Sequence, residues 1–266
     1  MIRAAILGSP VSHSLSPLLH TTAYRELGIE GSYIAVDLTT EGFQKFIDGS
    51  LLEDWTGFSL TMPLKESAFG FGFLVESTAA RIHSTNTLIR IGDSYQASST
   101  DYLAFQRLLS QLSYSKVAII GGGGTARAAL GALDGRVTEI DFLLRNQTRQ
   151  QSLQSSVLHS KVNFYPMSHS LANYDLVIAT TPEGVTDEIA ENLSSANGIL
   201  VEALYNPWPT KLLQAWADLG GQTLHGLDVL VEQALDQIHL MSKIDFDYDE
   251  MRKILLVTSI ASAAKR

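Results

Sequence analysis

One stretch limits the folds open to this chain more than any other. Lys116-Val-Ala-Ile-Ile120 runs directly into Gly121-Gly-Gly-Gly-Thr-Ala126, and Arg127-Ala-Ala-Leu-Gly-Ala-Leu133 continues with helical character. A buried strand that turns through glycines into a helix is the opening unit of a doubly wound α/β sheet. Gly121, Gly123 and Ala126 fit the three fixed positions of a G-x-G-x-x-A pattern. The first glycine permits the tight turn, the second lets the backbone approach a pyrophosphate, and the small Ala126 lets helix and sheet pack closely. The helix N-terminus around Gly122, Gly124 and Thr125 offers unpaired N–H groups and partial positive charge to phosphate. The plainer alternative is a tight strand-to-helix turn that holds no ligand.

The end of the next strand selects the dinucleotide, because an acidic residue there suits the ribose of NAD and an arginine suits the 2′-phosphate of NADP. Asp141 lies 20 positions beyond Gly121 (141 − 121), the spacing of an NAD reader. Phe142, Leu143 and Leu144 continue the apolar run past it, which puts Asp141 inside the strand and Arg145 at its end. A guanidinium at that end can pair bidentately with a phosphate, so the pattern favours NADP. The alternative is that Arg145 and Arg149 are merely solvated.

Short β-branched runs alternate with amphipathic stretches elsewhere too, which implies strand-helix-strand units and parallel sheet. Strands are expected over 3–7, 32–36, 57–60, 87–91, 116–120, 139–144, 176–179 and 199–202. Helical spacing marks 16–27, 101–112, 125–133, 210–219 and 227–241. Thr87–Ile91 and Tyr95–Ala97 read as a hairpin turned at Gly92-Asp93. No Pro/Gly/Ser linker marks a boundary, and the helix starting at Asp101 is the best place for one. Two lobes joined by helices would enclose a cleft, the usual place for a small ligand.

Composition narrows the chemistry. The 266 residues include no cysteine, so disulfides, Cys-ligated zinc and thiolate nucleophiles are excluded. With 19 Lys+Arg against 28 Asp+Glu, the net charge is −9 and no basic run is present, which argues against nucleic acid. No apolar run exceeds four residues, too short for a signal-peptide core or a membrane span, and a cytoplasmic protein is expected. The seven histidines show no metal-ligand spacing, and no metal is expected.

Polar residues gather at element ends in the first hundred positions. Gly8-Ser-Pro-Val-Ser-His-Ser-Leu-Ser-Pro17 joins a strand to a helix, with Pro17 suited to the first turn and Ser16 able to cap it. Hydroxyls of Ser14 and Ser16 at that helix N-terminus would suit a carboxylate, or they are ordinary capping serines. Phe58-Ser-Leu-Thr-Met-Pro-Leu-Lys65 places Lys65 near another helix N-terminus, whose dipole works against its positive charge. Asn86 and Asp101 also stand at element ends. An aspartate within reach of Lys65 would hold the ammonium and accept a hydroxyl's hydrogen bond, while the plain alternative for Asp101 is an N-cap.

These stretches together resemble the shikimate dehydrogenase family over essentially the whole chain. The resemblance is carried by Ser12-His-Ser-Leu-Ser-Pro17, Leu60-Thr-Met-Pro-Leu-Lys65, Asn86-Thr-Leu88, Thr100-Asp101, Gly121 to Ala128, Tyr205-Asn-Pro-Trp-Pro-Thr210 and Gly226 to Ala234. It implies NADPH-dependent reduction of 3-dehydroshikimate to shikimate, a step of aromatic amino-acid biosynthesis. It also implies an α/β, two-lobed fold: a substrate lobe of residues 1–101 and 233–266, including the last helices, and a Rossmann-like NADP-binding lobe of residues 102–232. By the same resemblance Lys65 and Asp101 match the catalytic pair, and Ser14 and Ser16 would take the substrate carboxylate with Tyr205 nearby. Thr61, Asn86 and Gln233 would contact ring hydroxyls, and Arg145, Asn146 and Arg149 would join the glycine loop in holding NADP. A homodimer is compatible with it.

The chain departs from the family pattern in three places. Gln147 stands where the basic cluster usually has arginine, Ser99 where asparagine usually precedes Thr-Asp, and Ser84-Thr85 where Gly-Ala usually precedes Asn86. The last two flank the expected substrate site. A quinate or dual quinate/shikimate dehydrogenase is the nearest rival, and a non-catalytic NADP-binding sensor is the rival of another class.

Overall fold

The computed structural model describes residues 1–51 and 53–264. The chain divides into two compact units, Met1–Leu103 with Leu230–Arg266, and Ala104–Val229.

In the first unit β1 (Ile2–Gly8), α1 (Ser16–Glu26), β2 (Gly31–Asp37), α2 (Thr40–Ser50) and β3 (Gly57–Leu60) make two successive strand-helix-strand steps. A short α3 (Leu64–Ser67), β4 (Leu74–Val75) and α4 (Ser77–Ile82) lead to β5 (Thr87–Ile91), β6 (Ser94–Ser98) and α5 (Thr100–Ser110). The sheet order is β2-β1-β3-β5-β6-β4. β1 is parallel to β2 and β3, whereas β5 is antiparallel to β3 and β6, so this sheet is mixed. The expected hairpin forms, and Gly92 at φ +58° supplies its left-handed residue.

The second unit runs through β7 (Val117–Ile120), α6 (Gly124–Leu133), β8 (Glu139–Leu143), α7 (Gln150–Gln154) and β9 (Lys161–Tyr165). It continues with β10 (Leu176–Ala179), α8 (Asp187–Glu191), β11 (Ile199–Glu202), α9 (Lys211–Asp218) and β12 (Gln222–Leu224). All its pairings are parallel, in the order β12-β11-β10-β7-β8-β9. Strand order therefore reverses between β7 and β10, the switch point at whose carboxyl ends such sheets hold ligands. The chain returns to the first unit within α10 (Gly226–Ser242) and ends with α11 (Tyr248–Ala263).

Strand periodicity explains the core of the first unit. Ile2, Ala4 and Ile6 face one side of β1, where they join Leu19 and Ala23 of α1, Leu235 and Ile238 of α10, and Met251 and Leu255 of α11. Ala5 and Leu7 face the other, against Phe43 and Ile47 of α2 and Phe58 and Leu60 of β3. In the second unit Ala118, Ile120, Val177, Ala179 and Leu200 join Leu212 and Trp216 of α9. Strands buried on both faces read as continuous apolar runs, which is how β7 and β10 announce themselves in the sequence. No helix among the described residues is long and apolar enough to cross a membrane.

Two capping assignments change. Ser16 does not cap α1: the N-cap is Leu15, Ser16 is the first helical residue, and the Ser14 hydroxyl accepts from the Ser16 N–H at 3.2 Å. Asp101 does not cap α5, because the helix already includes Thr100 and the Tyr102 N–H points to the Ser99 hydroxyl at 3.4 Å. In both places the side chain that meets the free N–H is a serine two residues earlier than the expected cap, outside the helix.

Candidate active site

β3 delivers its last residue beside the end of β1, and glycine makes the approach workable. A Cβ on Gly8 would collide with Thr61 Cγ2 and lie 2.7 Å from the Met62 carbonyl oxygen. The Thr61 N–H donates to the Leu7 carbonyl at 2.9 Å, and the Ser9 N–H to the Met62 carbonyl at 2.9 Å. This packs the turn of Thr61 against the loop that leads to Ser14 and Ser16. One turn on, Lys65 sits in the four-residue α3.

Lys65 Nζ donates to Asp101 Oδ2 at 2.6 Å, with the lysine side chain 18% and the aspartate 6% exposed. The other carboxylate oxygen, Oδ1, accepts from Asn86 Nδ2 at 3.0 Å. Asn86, immediately before β5, is buried and uses nearly all its bonding capacity. Its Oδ1 accepts from the Thr100 N–H at 2.7 Å and the Asp101 N–H at 3.4 Å, and its Nδ2 also reaches Thr100 Oγ1 at 2.9 Å and Gln233 Oε1 at 3.3 Å. These bonds favour one orientation of the amide and, through it, of the carboxylate it grips.

The structure therefore gathers Lys65, Asn86, Asp101 and Gln233 into one hydrogen-bonded cluster, with Thr61 a turn away on the same loop. Ser14 and Ser16 stand at the N-terminus of α1, Ser16 being buried. Tyr205 belongs to the other unit, on the loop after β11.

In the second unit the glycine loop fills the switch point. Gly121 adopts φ +105°, and a Cβ there would lie 2.7 Å from Thr180 Oγ1 at the end of β10, so both backbone conformation and crowding demand glycine. Gly123 is the N-cap of α6 and makes no side-chain cap, while Ala126 is fully buried against the sheet. The first turn of α6 carries no acidic residue. Arg145 and Asn146 are exposed just past β8, and Arg149 Nη1 donates to the Gly122 carbonyl at 2.7 Å. Asn146 Oδ1 caps the following turn by accepting from the Thr148 N–H at 3.0 Å. Asp141 is occupied inside β8, where it accepts from Tyr174 OH at 2.7 Å and Asn163 Nδ2 at 2.8 Å. A glycine cradle, an open helix N-terminus and an exposed arginine beside it, with the nearby carboxylate already bonded, fit a phosphorylated dinucleotide that carries a 2′-phosphate.

Three buried polar residues escape sequence reasoning. Glu202, 2% exposed at the end of β11, accepts from the Leu204 N–H at 3.1 Å and Thr210 Oγ1 at 3.0 Å, and burial pushes its carboxyl up to about 7. Fully buried His20 stacks on Tyr33 with ring centroids 3.9 Å apart, and burial pushes its imidazole down to about 3. Gln237 is also fully buried and bonds to His20, Ser59, Asn86 and Thr87. Only Gln237 leaves a sequence trace, as a second amide four residues after Gln233 on an otherwise apolar stripe.

Residues 6–88 match the family model described as the shikimate dehydrogenase substrate binding domain. A shikimate dehydrogenase (NADP(+)) from Exiguobacterium sibiricum is 31% identical over 240 residues, covering 87% of this chain and 89% of the relative. The chain belongs to the shikimate dehydrogenase family. A crystal structure of the Mycobacterium tuberculosis shikimate dehydrogenase superposes with a TM-score of 0.85 at 30% identity, over 97% of this chain and 99% of that one. The Thermus thermophilus shikimate 5-dehydrogenase, solved in complex with NADP(H) and shikimate, gives 0.81 at 27% identity over 97% and 100%. As in other shikimate dehydrogenases, an N-terminal α/β substrate domain is combined with a Rossmann-like NADP-binding domain.

Proposed function

We propose that this chain catalyses the reversible, NADPH-dependent reduction of 3-dehydroshikimate to shikimate. The observation that carries the proposal is the Lys65–Asp101 pair at 2.6 Å, locked by Asn86 inside the unit that contains the matched substrate-binding segment. Substrate binding is assigned to the unit of Met1–Leu103 and Leu230–Arg266, and NADP binding to Ala104–Val229.

Bound NADPH supplies a hydride to the ketone carbon. The oxygen of that ketone needs a proton, and Lys65 is the donor: its ammonium carries three N–H groups and gives one of them to Asp101. Asp101 holds the ammonium in place and accepts a hydrogen bond from a ring hydroxyl. Asn86 fixes the carboxylate, and Thr61 and Gln233 bind the remaining hydroxyls. Ser14 and Ser16 receive the carboxylate at the N-terminus of α1, where hydroxyls and dipole act together. Gly121 to Gly124, Thr125 and Ala126 cradle the pyrophosphate. Arg145 pairs with the 2′-phosphate beside Asn146, and Arg149 braces the loop through Gly122.

The test is turnover by the purified protein with shikimate and with quinate, each against NADP⁺ and NAD⁺, followed by reduced nucleotide formation. Shikimate with NADP⁺ should give the highest kcat/KM. Preference for quinate would assign the rival activity, and NADPH binding without turnover in any pairing would make the chain a sensor.

A further inference from the structure

α10 carries two glutamines four residues apart, so both project from one face. Gln233 reaches the side chain of Asn86, its Oε1 lying 3.3 Å from Asn86 Nδ2. Gln237 reaches the backbone of the same residue, its Nε2 donating to the Asn86 carbonyl at 3.2 Å and to Thr87 Oγ1 at 3.0 Å. That carbonyl also accepts from the Leu60 N–H at 2.8 Å, one residue before Thr61. Asn86 is thus clamped at both ends by one helix, and the clamp extends to the strand that feeds the Lys65 turn.

The orientation of the Gln237 amide is fixed in turn. Tyr33 OH donates to Ser59 Oγ at 2.6 Å, and Ser59 Oγ donates to Gln237 Oε1 at 2.7 Å. His20 Nε2 stands 3.3 Å from the same Oε1. Since that oxygen only accepts, the His20 proton belongs on Nε2, and Nδ1 is left as an acceptor 3.4 Å from Tyr24 OH, which also reaches Met241 Sδ at 3.8 Å. Ser59 and His20 therefore both donate to Gln237 Oε1, and both Nε2 hydrogens are directed at Asn86 and Thr87.

We propose that Gln237 is a positioning residue for the reaction: through the Asn86 backbone it holds the Asn86 side chain, and with it Asp101 and Lys65, in working geometry. This rests on the dehydrogenase activity proposed above. Gln237 is fully buried, and an apolar side chain of the same volume would fill its place while losing all of these bonds. A misplacement of about 1 Å in a catalytic group can cost about 10²-fold in rate.

The experiment compares Gln237→Met, which keeps volume and removes the amide, with Leu235→Ala, a packing control on the same helix α10. Gln237→Met should lower kcat for shikimate by about 10- to 100-fold and leave KM for NADP⁺ unchanged. Leu235→Ala should lower Tm and leave kcat intact. A second readout needs no substrate: the rate at which acetic anhydride modifies Lys65 relative to exposed Lys45, measured by peptide mass. Loosening of the Asp101 pair should raise that ratio several-fold in Gln237→Met and not in Leu235→Ala. Should Gln237→Met fail to fold, Ser59→Ala removes the donor to Gln237 Oε1 and should give both changes at smaller size. An unchanged Lys65 ratio in the folded variant overturns the proposal, as does an undiminished kcat in an active enzyme. A wild type that turns over no shikimate would instead remove the activity, and the Lys65 ratio would still decide the role of Gln237.

Discussion

Asn86 and Asp101 meet twice: the Asn86 amide donates to Asp101 Oδ1 at 3.0 Å, and its carbonyl oxygen lies 3.4 Å from the Asp101 N–H. The asparagine thereby fixes both the start of α5 and the carboxylate that α5 carries. Asp101 is left one oxygen for Lys65 and, on the proposed mechanism, for a substrate hydroxyl. An ion pair on so rigid a support is pre-set for a reaction, and each end of it can be tested separately.

Cofactor choice is assigned to Arg145, which is exposed at the end of β8 while Asp141 is occupied by Tyr174 and Asn163. Arg145→Ala should weaken NADPH binding by about 10- to 100-fold, the loss of a charged hydrogen-bond pair, and alter NADH little. Fluorescence titration with both nucleotides measures this. Equal weakening of the two would take the 2′-phosphate away from Arg145.

Glu202 sets a pH dependence of stability. Burial raises its carboxyl from 4.5 to about 7, so the folded state holds a proton that the unfolded chain has lost. Its stabilising contribution is complete below pH 4.5 and fades as pH rises through about 7. Glu202→Gln keeps an acceptor and removes the titration. Its Tm relative to wild type should therefore rise between pH 4.5 and about 7 and level off above. Thermal melts across that range test it, and parallel profiles for the two proteins would contradict it.

Ser84 carries a buried hydroxyl for which no hydrogen-bond partner exists among the described residues. An unsatisfied buried donor costs free energy that alanine does not. Ser84→Ala should stabilise the protein by about 1 kcal/mol, read from urea unfolding. A loss of stability would mean that the hydroxyl is bonded in solution.

The parts of this structure that speak through sequence are those whose demands are local. The Gly121 turn needs glycine because Thr180 crowds it, and β7 and β10 read as strands because both faces are buried. Arg145 and Asp141 separate correctly because the apolar run of Phe142 to Leu144 shows where β8 ends. Edge strands β9 and β12 go unseen, since Lys161–Tyr165 and Gln222–Leu224 mix polarity on half-exposed faces. α11 is likewise invisible to spacing, although Asp247 caps it by accepting from the Asp249 and Glu250 N–H groups. Ser14 rather than Ser16 meets the helix N–H because capping depends on where the chain enters the helical conformation. Glu202 and His20 are polar residues made notable only by burial, and burial is a property of the assembled unit.

The most direct test is kcat for shikimate oxidation with NADP⁺ in wild type and Lys65→Ala. A proton-transfer group acts chiefly in the transition state, so kcat should fall by about 10²- to 10⁴-fold with a much smaller rise in KM. A Lys65→Ala enzyme that keeps its kcat and loses only KM, or a wild type that forms no NADPH from shikimate, would contradict the mechanism.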